Sequence, residues 1–293
     1  MRYGVCVAGV DVGFVESLFR VGKPSTVFRD VGWLQPLSPS PSGVPVGREA
    51  ELRAIAACLA DVFKGGVGRN VFVYGKPGTG KTFCARYVLD RVRAFVEAKG
   101  LDVLVVYVNV GKTRGPYFTL LEIVRAVGVD APSSGWQFSR LKEEFERVRA
   151  DKPIVIAIDE FESLIFKQRE PLVYYLNRQP KVTLILISNK FEDIAGLPSR
   201  AKSSLQALPV KFDGYSLEVA KKILMERVER AFQSGAVEEK HIDWLAEVLS
   251  EVGDVRVCFN ILLTAGLLAE CEEKTKLERE HFLNATKTIQ HTI

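Results

Sequence analysis

This chain lacks most of the features that mark secreted, membrane-bound or metal-laden proteins. None of its five cysteines, Cys6, Cys58, Cys84, Cys258 and Cys271, pairs with another as C-x-x-C, so the common zinc and dithiol spacings are excluded. An odd, scattered set suggests a reducing compartment. Cys58, Cys84 and Cys258 fall within apolar helical patterns, where a small buried hydrophobe is expected. No stretch approaches the roughly 18 charge-free apolar residues of a membrane span. The mildly apolar start is broken by Asp11, so a signal peptide is not expected. Charge of one sign is scarce too. Lys and Arg exceed Asp and Glu only by 40 to 36 in 293 residues, which permits contact with a polyanion without arguing for one. No internal repeat is present, and a cytoplasmic protein without a membrane partner is expected.

Residues 1–35 carry apolar and aromatic groups with no clean period, and Pro/Ser-rich residues 36–43 read as an extended connector. A helix follows from Arg48, with Leu52, Ile55, Ala56, Leu59, Val62 and Phe63 on one face, ended by Gly65, Gly66 and Gly68. Short, nearly continuous Val/Ile-rich runs then recur at 71–74, 103–108, 154–158, 182–187 and 208–212. Continuous rather than alternating runs suit strands covered on both faces, hence a parallel sheet between helices. Helices are expected at 83–98, 118–127, 138–150 and 171–176. After Phe212 the strand signal stops, and helices at 217–232, 242–249, 255–269 and 278–289 follow, with Ser216 and Asp254 as N-caps for two of them. The division is an N-terminal extension and connector at 1–45, an α/β domain at 46–213 and a small helical lid at 214–293.

Gly75, Lys76, Pro77, Gly78, Thr79, Gly80, Lys81 and Thr82 fit G-x-x-x-x-G-K-[ST] between a strand and a helix, the context that a phosphate-binding loop requires. Glycines let the chain wrap a phosphate closely, inward-pointing N–H groups make a nest, and the helix start adds its own donors. Lys81 is expected to bridge the β- and γ-phosphates, and Thr82 to offer its hydroxyl to Mg²⁺. Asp159 and Glu160 end the third strand, at the sheet edge where open α/β folds bind ligands. Asp159 is expected to hold the metal through water, and Glu160 to orient and deprotonate an attacking water. ATP or ADP with Mg²⁺ is therefore the expected ligand set.

Asn189 follows the fourth strand and is either a γ-phosphate or water contact or a turn former. Arg200 is either a guanidinium reaching a neighbouring subunit's γ-phosphate or a solvated surface residue. Arg256 opens a lid helix, to reach across the cleft or to make a local salt bridge.

Together these features resemble the AAA+ ATPases and, more narrowly, the archaeal origin-recognition initiators related to the largest eukaryotic origin-recognition subunit and its helicase-loading partner. The resemblance runs from about Phe28 to Thr286. It rests on PVGREAEL at 45–52, the loop YGKPGTGKT, VYVN at 106–109, Asp159-Glu160, ISN at 187–189, RAKSSL at 200–205, VKFDGY at 210–215 and GDVR at 253–256. It implies a five-stranded parallel sheet in the order 5-1-4-3-2 with a helical lid. Asn189 takes a first-sensor role, Arg200 an arginine-finger role and Arg256 a lid-sensor role. Val46, Gly47 and Arg48 are then expected beside adenine, with Tyr215 on the hinge side of the base.

Residues 109–127 match a helical insertion that touches the DNA backbone, making Lys112 and Arg114 candidate phosphate contacts, unless they are simply solvated. Such relatives continue into a winged helix, whereas this chain stops at Ile293; a short paralogue or a cut chain is expected, with weak, backbone-directed DNA binding. The implied function is an ATP-dependent replication initiator, associated with the nucleoid, whose partners are origin duplex DNA, sister initiator subunits and the replicative helicase. Two alternatives are a non-initiator AAA+ accessory ATPase of a mobile element and a nucleotide-locked structural subunit.

Overall fold

The five Val/Ile-rich runs pair as one parallel sheet: β1 (Val71–Gly75), β2 (Leu104–Asn109), β3 (Ile154–Asp159), β4 (Val182–Ser188) and β5 (Leu208–Phe212), in the order β2-β3-β4-β1-β5. The computed structural model describes residues 25–290 except Arg114 and Ile165, without the side chains of 166–170 and 289–290. The expectations for residues 1–24, including Cys6 and the signal peptide, lie outside the described residues.

Burial explains the sequence pattern. Central strands β3 and β4 are buried at every position, whereas edge strands β2 and β5 are only partly covered. Pro209 sits on edge strand β5, where its missing N–H costs no ladder bond on the open side. One face of the sheet carries Phe72, Val106, Val108, Ile156, Ile158, Leu184 and Leu186. It packs against α4 (Pro116–Ala126), through Leu120, Leu121, Ile123 and Val124, and against α5 (Phe138–Arg149) through Leu141 and Phe145. The other face carries Val71, Val73, Val155, Ala157, Ile185 and Ile187. It is covered by α1 (Glu49–Cys58) and by α2 (Lys81–Lys99), whose Cys84, Ala85, Val88 and Leu89 recur at helical spacing. Burial pushes the Cys84 thiol up to about 12. Cys84 and Cys258 are buried as expected, but Cys58, at the C-terminal end of α1, is only half-buried.

Other elements depart from the periodicity reading. Residues after α1 tighten into a 3₁₀ turn, Ala60–Lys64, before Gly65 ends it. Between β2 and α4 a short helical turn, α3 (Val110–Thr113), opens the insertion. The helix expected at 171–176 is longer, α6 (Phe166–Asn177), and contains Pro171. Two short helices precede β5: α7 (Glu192–Ala195) and α8 (Ser199–Leu205). The RAKSSL stretch lies in α8, which buries only Ala201 and Leu205, too few apolar positions to register as a period.

The described chain divides into two compact units, neither continuous in sequence: residues 42–220 with 248–255, and residues 25–41 with 221–247 and 256–290. The first holds the sheet. The second draws on α9 (Leu217–Ala231), α10 (Glu239–Val252), α11 (Val255–Cys271) and α12 (Arg279–Gln290).

The described part of the N-terminal segment is built into the second unit. Its backbone is tied to α9 by Arg29 N–H to Ala231 O and by Gln233 N–H to Val27 O, each at 2.8 Å. The Phe28 ring tilts against Phe232 with centroids 4.9 Å apart, and lies so close to Gly266 of α11 that any Cβ there would run into it. Buried Arg227 donates to Trp33 O at 3.0 Å and Ser38 O at 2.9 Å. An irregular segment held by backbone bonds and one ring carries no hydrophobic period, which is why residues 25–35 show none in the sequence.

Buried His241 packs on Phe282 at 4.6 Å between centroids, and neither ring nitrogen has a hydrogen-bond partner among the described residues. Burial, with Lys240 adding to it against the opposing Glu238, lowers its pKa from the ordinary imidazole value. Folded His241 therefore binds fewer protons than in the unfolded chain, so its contribution to stability is full above a pH of about 6.5 and is lost as pH falls through its lower folded pKa. Melting curves from pH 8 to pH 5 should show this decline in the wild type and a flatter profile in His241→Leu.

Candidate functional site

The site forms where three parallel strands end. β1 runs into the loop at 75–80, and α2 begins at Lys81 directly after Gly80. Lys81 is 7% exposed, an unusual place for an ammonium group. It donates to Gly75 O at 2.7 Å, Lys76 O at 2.8 Å and Asn189 Oδ1 at 2.9 Å. The Thr79 hydroxyl closes the loop on Lys76 O at 2.8 Å. Gly78 has φ +73° and a side chain there would run into Asp254, so the loop is packed directly against the turn at 253–255.

The β3 carboxylates meet this loop from the side. Asp159 is buried, and its Oδ2 accepts from Thr82 Oγ1 at 2.8 Å and from Tyr107 OH at 2.6 Å. Its Oδ1 accepts from the Glu160 amide at 2.9 Å. Burial, reinforced by Asp159, holds the Tyr107 phenol above its ordinary range, so it remains a donor. Glu160 sits in the left-handed region at φ 53° and accepts from Asn109 Nδ2 at 3.0 Å. Asn189, at the end of β4, donates its amide to Glu162, whose other oxygen accepts from Ser188 Oγ at 3.0 Å. Ser188 also pairs with Asp193.

Tyr107 and Asn109 fall within the VYVN stretch, which assigns them no role in the site, and Glu162 was not singled out from the sequence. Their two-residue spacing was a signal for the first two, but the strand pairing was not. Tyr107 and Asn109 alternate on one face at the C-terminal end of β2, in register with Ala157 and Asp159 of β3.

Thr82 Oγ1 and Asp159 Oδ2 offer a hydroxyl and a carboxylate, the hard oxygen donors that magnesium takes. Among the described residues no group of three or more His, Cys, Asp or Glu is placed to hold a metal. A small donor set fits Mg²⁺, which keeps waters and shares phosphate oxygens, better than a metal needing a full protein cage.

Around the opening of α1, Arg48 is buried and committed. It donates to Glu51 Oε1 at 2.9 Å and Asp213 O at 2.6 Å, with its guanidinium 4.3 Å from the Tyr215 ring centroid. Burial raises the Tyr215 pKa, with Arg48 opposing. Val46 and Gly47 immediately precede it, and a Cβ at Gly47 would meet Val219. Arg48 thus joins the start of α1 to the 213–215 bend.

Arg200, on α8, lines a cavity of about 440 Å³ with Lys142, Tyr174, Tyr175 and Arg178. Lys112 is exposed on α3, its amide bonded to Asn109 Oδ1 at 3.2 Å. Arg114 lies outside the described residues. Arg256 is exposed in the first turn of α11, in the second unit.

Residues 44–187 match the family described as AAA ATPase domain, and residues 221–287 match the Cdc6 AAA+ ATPase-type lid domain. An ORC1-type DNA replication protein of Pyrococcus abyssi is 31% identical over 94% of this chain and 69% of its own. An ORC1-type DNA replication protein 1 of Aeropyrum pernix is 32% identical over 94% of this chain and 72% of its own. The structure of the Aeropyrum pernix ORC1 protein in complex with DNA superposes with a TM-score of 0.82, covering 91% of this chain and 71% of that one at 32% identity. Cdc6p of Pyrobaculum aerophilum, at 18% identity, shares the fold with a TM-score of 0.79 over 89% of this chain and 72% of its own. With the sheet order, the helical lid and two relatives above 30% identity in agreement, this chain belongs to the ORC1/Cdc6-type initiator family of AAA+ ATPases.

Proposed function

We propose that the protein is an ATP-dependent DNA replication initiator, or a paralogue of one, that uses bound nucleotide to control its contacts with duplex DNA, sister initiators and the replicative helicase. The observation that carries this reading is the buried Lys81 ammonium beside a Thr82–Asp159 pair, with Glu160 next along the chain. Lys81 exchanges its contacts with loop carbonyls and Asn189 for the β- and γ-phosphates of ATP. Thr82, and Asp159 through water, would hold Mg²⁺, which when bound would draw charge from the phosphate oxygens. Glu160 takes the proton of the water that attacks the γ-phosphorus, as the bond from that phosphorus to the β-phosphate oxygen breaks and ADP leaves. Asn189 turns its amide from Glu162 toward the phosphate, and Arg200 of a neighbouring copy completes the charge. Arg256 senses nucleotide from the lid.

Turnover is slow in this reading, because Glu160 is held by Asn109. That hydrogen bond keeps the base on the side of β2 and α3, the elements leading to Lys112. DNA contact at the insertion then bears on Glu160 through Asn109. The structure of the Aeropyrum relative in complex with DNA supports DNA as a partner.

The test is ATP turnover at saturating nucleotide, with and without duplex DNA, in wild type, Glu160→Gln and Asn109→Ala. Loss of the base should lower the rate by about a hundredfold or more, and freeing it in Asn109→Ala should raise the rate and blunt the response to DNA. Equal rates for wild type and Glu160→Gln, with and without DNA, would rule out hydrolysis as the switch.

A further inference from the structure

β2 holds both acids at the end of β3, each with a different side chain. Tyr107 and Asn109, two residues apart, face the same side. Asn109 takes Glu160, whereas Tyr107 lies opposite Ala157 in the parallel register. A methyl at that position leaves room for the phenol ring to lean along β3 to the diagonal neighbour, a distance aromatic side chains reach. There its hydroxyl donates to Asp159 Oδ2 at 2.6 Å. The Arg86 guanidinium of α2 lies over the ring, 5.2 Å from its centroid. The ring is thus held by a cation at its face and by the carboxylate at its hydroxyl end.

The same oxygen, Oδ2, also accepts from Thr82 Oγ1. A carboxylate oxygen has two lone-pair sites, so both are taken, one by each hydroxyl. The other oxygen, Oδ1, is engaged by the Glu160 amide. If Thr82 turns to a metal, only its own lone-pair site on Oδ2 is vacated. Tyr107 decides which site opens and in what direction it points.

We propose that Tyr107 is a positioning residue for magnesium, fixing Asp159 so that the acceptor site vacated by Thr82 faces the phosphate loop. This rests on the reading of that loop as an ATP site. Tyr107 itself touches neither nucleotide nor metal in this assignment. Its effect is confined to the metal-dependent part of nucleotide binding, because Lys81 and the loop amides hold phosphate without it.

The experiment uses the full chain, with a fluorescent ATP analogue bound first in EDTA and then along a magnesium chloride titration. Three proteins are compared: wild type, Tyr107→Phe, which keeps the ring and removes only the donor, and Lys81→Ala. Tyr107→Phe should match wild type in EDTA but require about tenfold more magnesium to reach its tight-binding state, the scale of one hydrogen bond to a charged group. Its melting temperature without ligand should not predict that shift. An unchanged magnesium midpoint, with Lys81→Ala unable to bind, overturns the Tyr107 assignment alone. Weakened binding in EDTA would also overturn it, since the residue would then be shaping the loop instead of the metal site. Retained binding in Lys81→Ala overturns the loop reading, and the assignment with it.

Discussion

Lys81→Ala should abolish ATP binding at concentrations that saturate the wild type. The residue is the buried cation of the loop, and its ammonium is directed by three acceptors, Gly75 O, Lys76 O and Asn189 Oδ1. Those acceptors hold the charge at the mouth of the loop before any ligand arrives, so little ordering remains to be done on binding. Truncating one member of a buried charge pair costs about 2–5 kcal/mol, a loss of roughly thirtyfold to several thousandfold in affinity. The same substitution leaves those carbonyls and the Asn189 amide without their donor, which lowers stability by an amount that melting curves read separately. Calorimetric titration with ATP settles the point. Affinity within threefold of wild type would mean that Lys81 holds the empty loop together and nothing more.

Much of the nucleotide unit was legible because its central strands are covered on both faces. The run at 182–187 fell one residue short of Ser188, and the run at 154–158 one short of Asp159. Continuous Val and Ile can be read without knowing the neighbours. The phosphate loop was legible for a different reason, since its glycines and Lys81 act within one short stretch. What escaped depends on pairing between strands. Tyr107 and Asn109 take their roles from being in register with Ala157 and Asp159, a relation absent from either segment alone. Glu162 belongs to no motif of its own. Only the 3₁₀ turn Phe161–Ser163 brings it back to Ser188 and Asn189 on β4.

The helical lid was recognised from its periodic helices, but its N-terminal component was not. Residues 25–41 contribute Val27, Phe28 and Leu34 to the buried set, at spacings that match neither strand nor helix. Their partners are Ala231, Phe232, Gln233 and Gly266, about two hundred residues further along the chain, so the closure of a long loop offsets part of what the contacts contribute. Such a segment is held only if its few anchors are strong, which puts the weight on Phe28.

Phe28→Ala should destabilise the lid unit by about 3–5 kcal/mol, the usual cost of removing a buried phenylalanine. The ring loses its contact with Phe232, and a void opens over Gly266. Gly266 makes the prediction sharper. In the wild type, Gly266→Ala is destabilising because the new methyl meets the Phe28 ring. Once that ring has been removed, the methyl enters vacated space, and the better helix former contributes up to about 1 kcal/mol. The two substitutions should therefore be strongly non-additive, with the double variant more stable than Phe28→Ala alone. Denaturant unfolding followed by tryptophan fluorescence measures all four proteins, since Trp33 and Trp244 both lie in this unit. Additive losses would mean that the ring does not sit over α11, and that the segment is held by its backbone bonds to Ala231 and Gln233 instead.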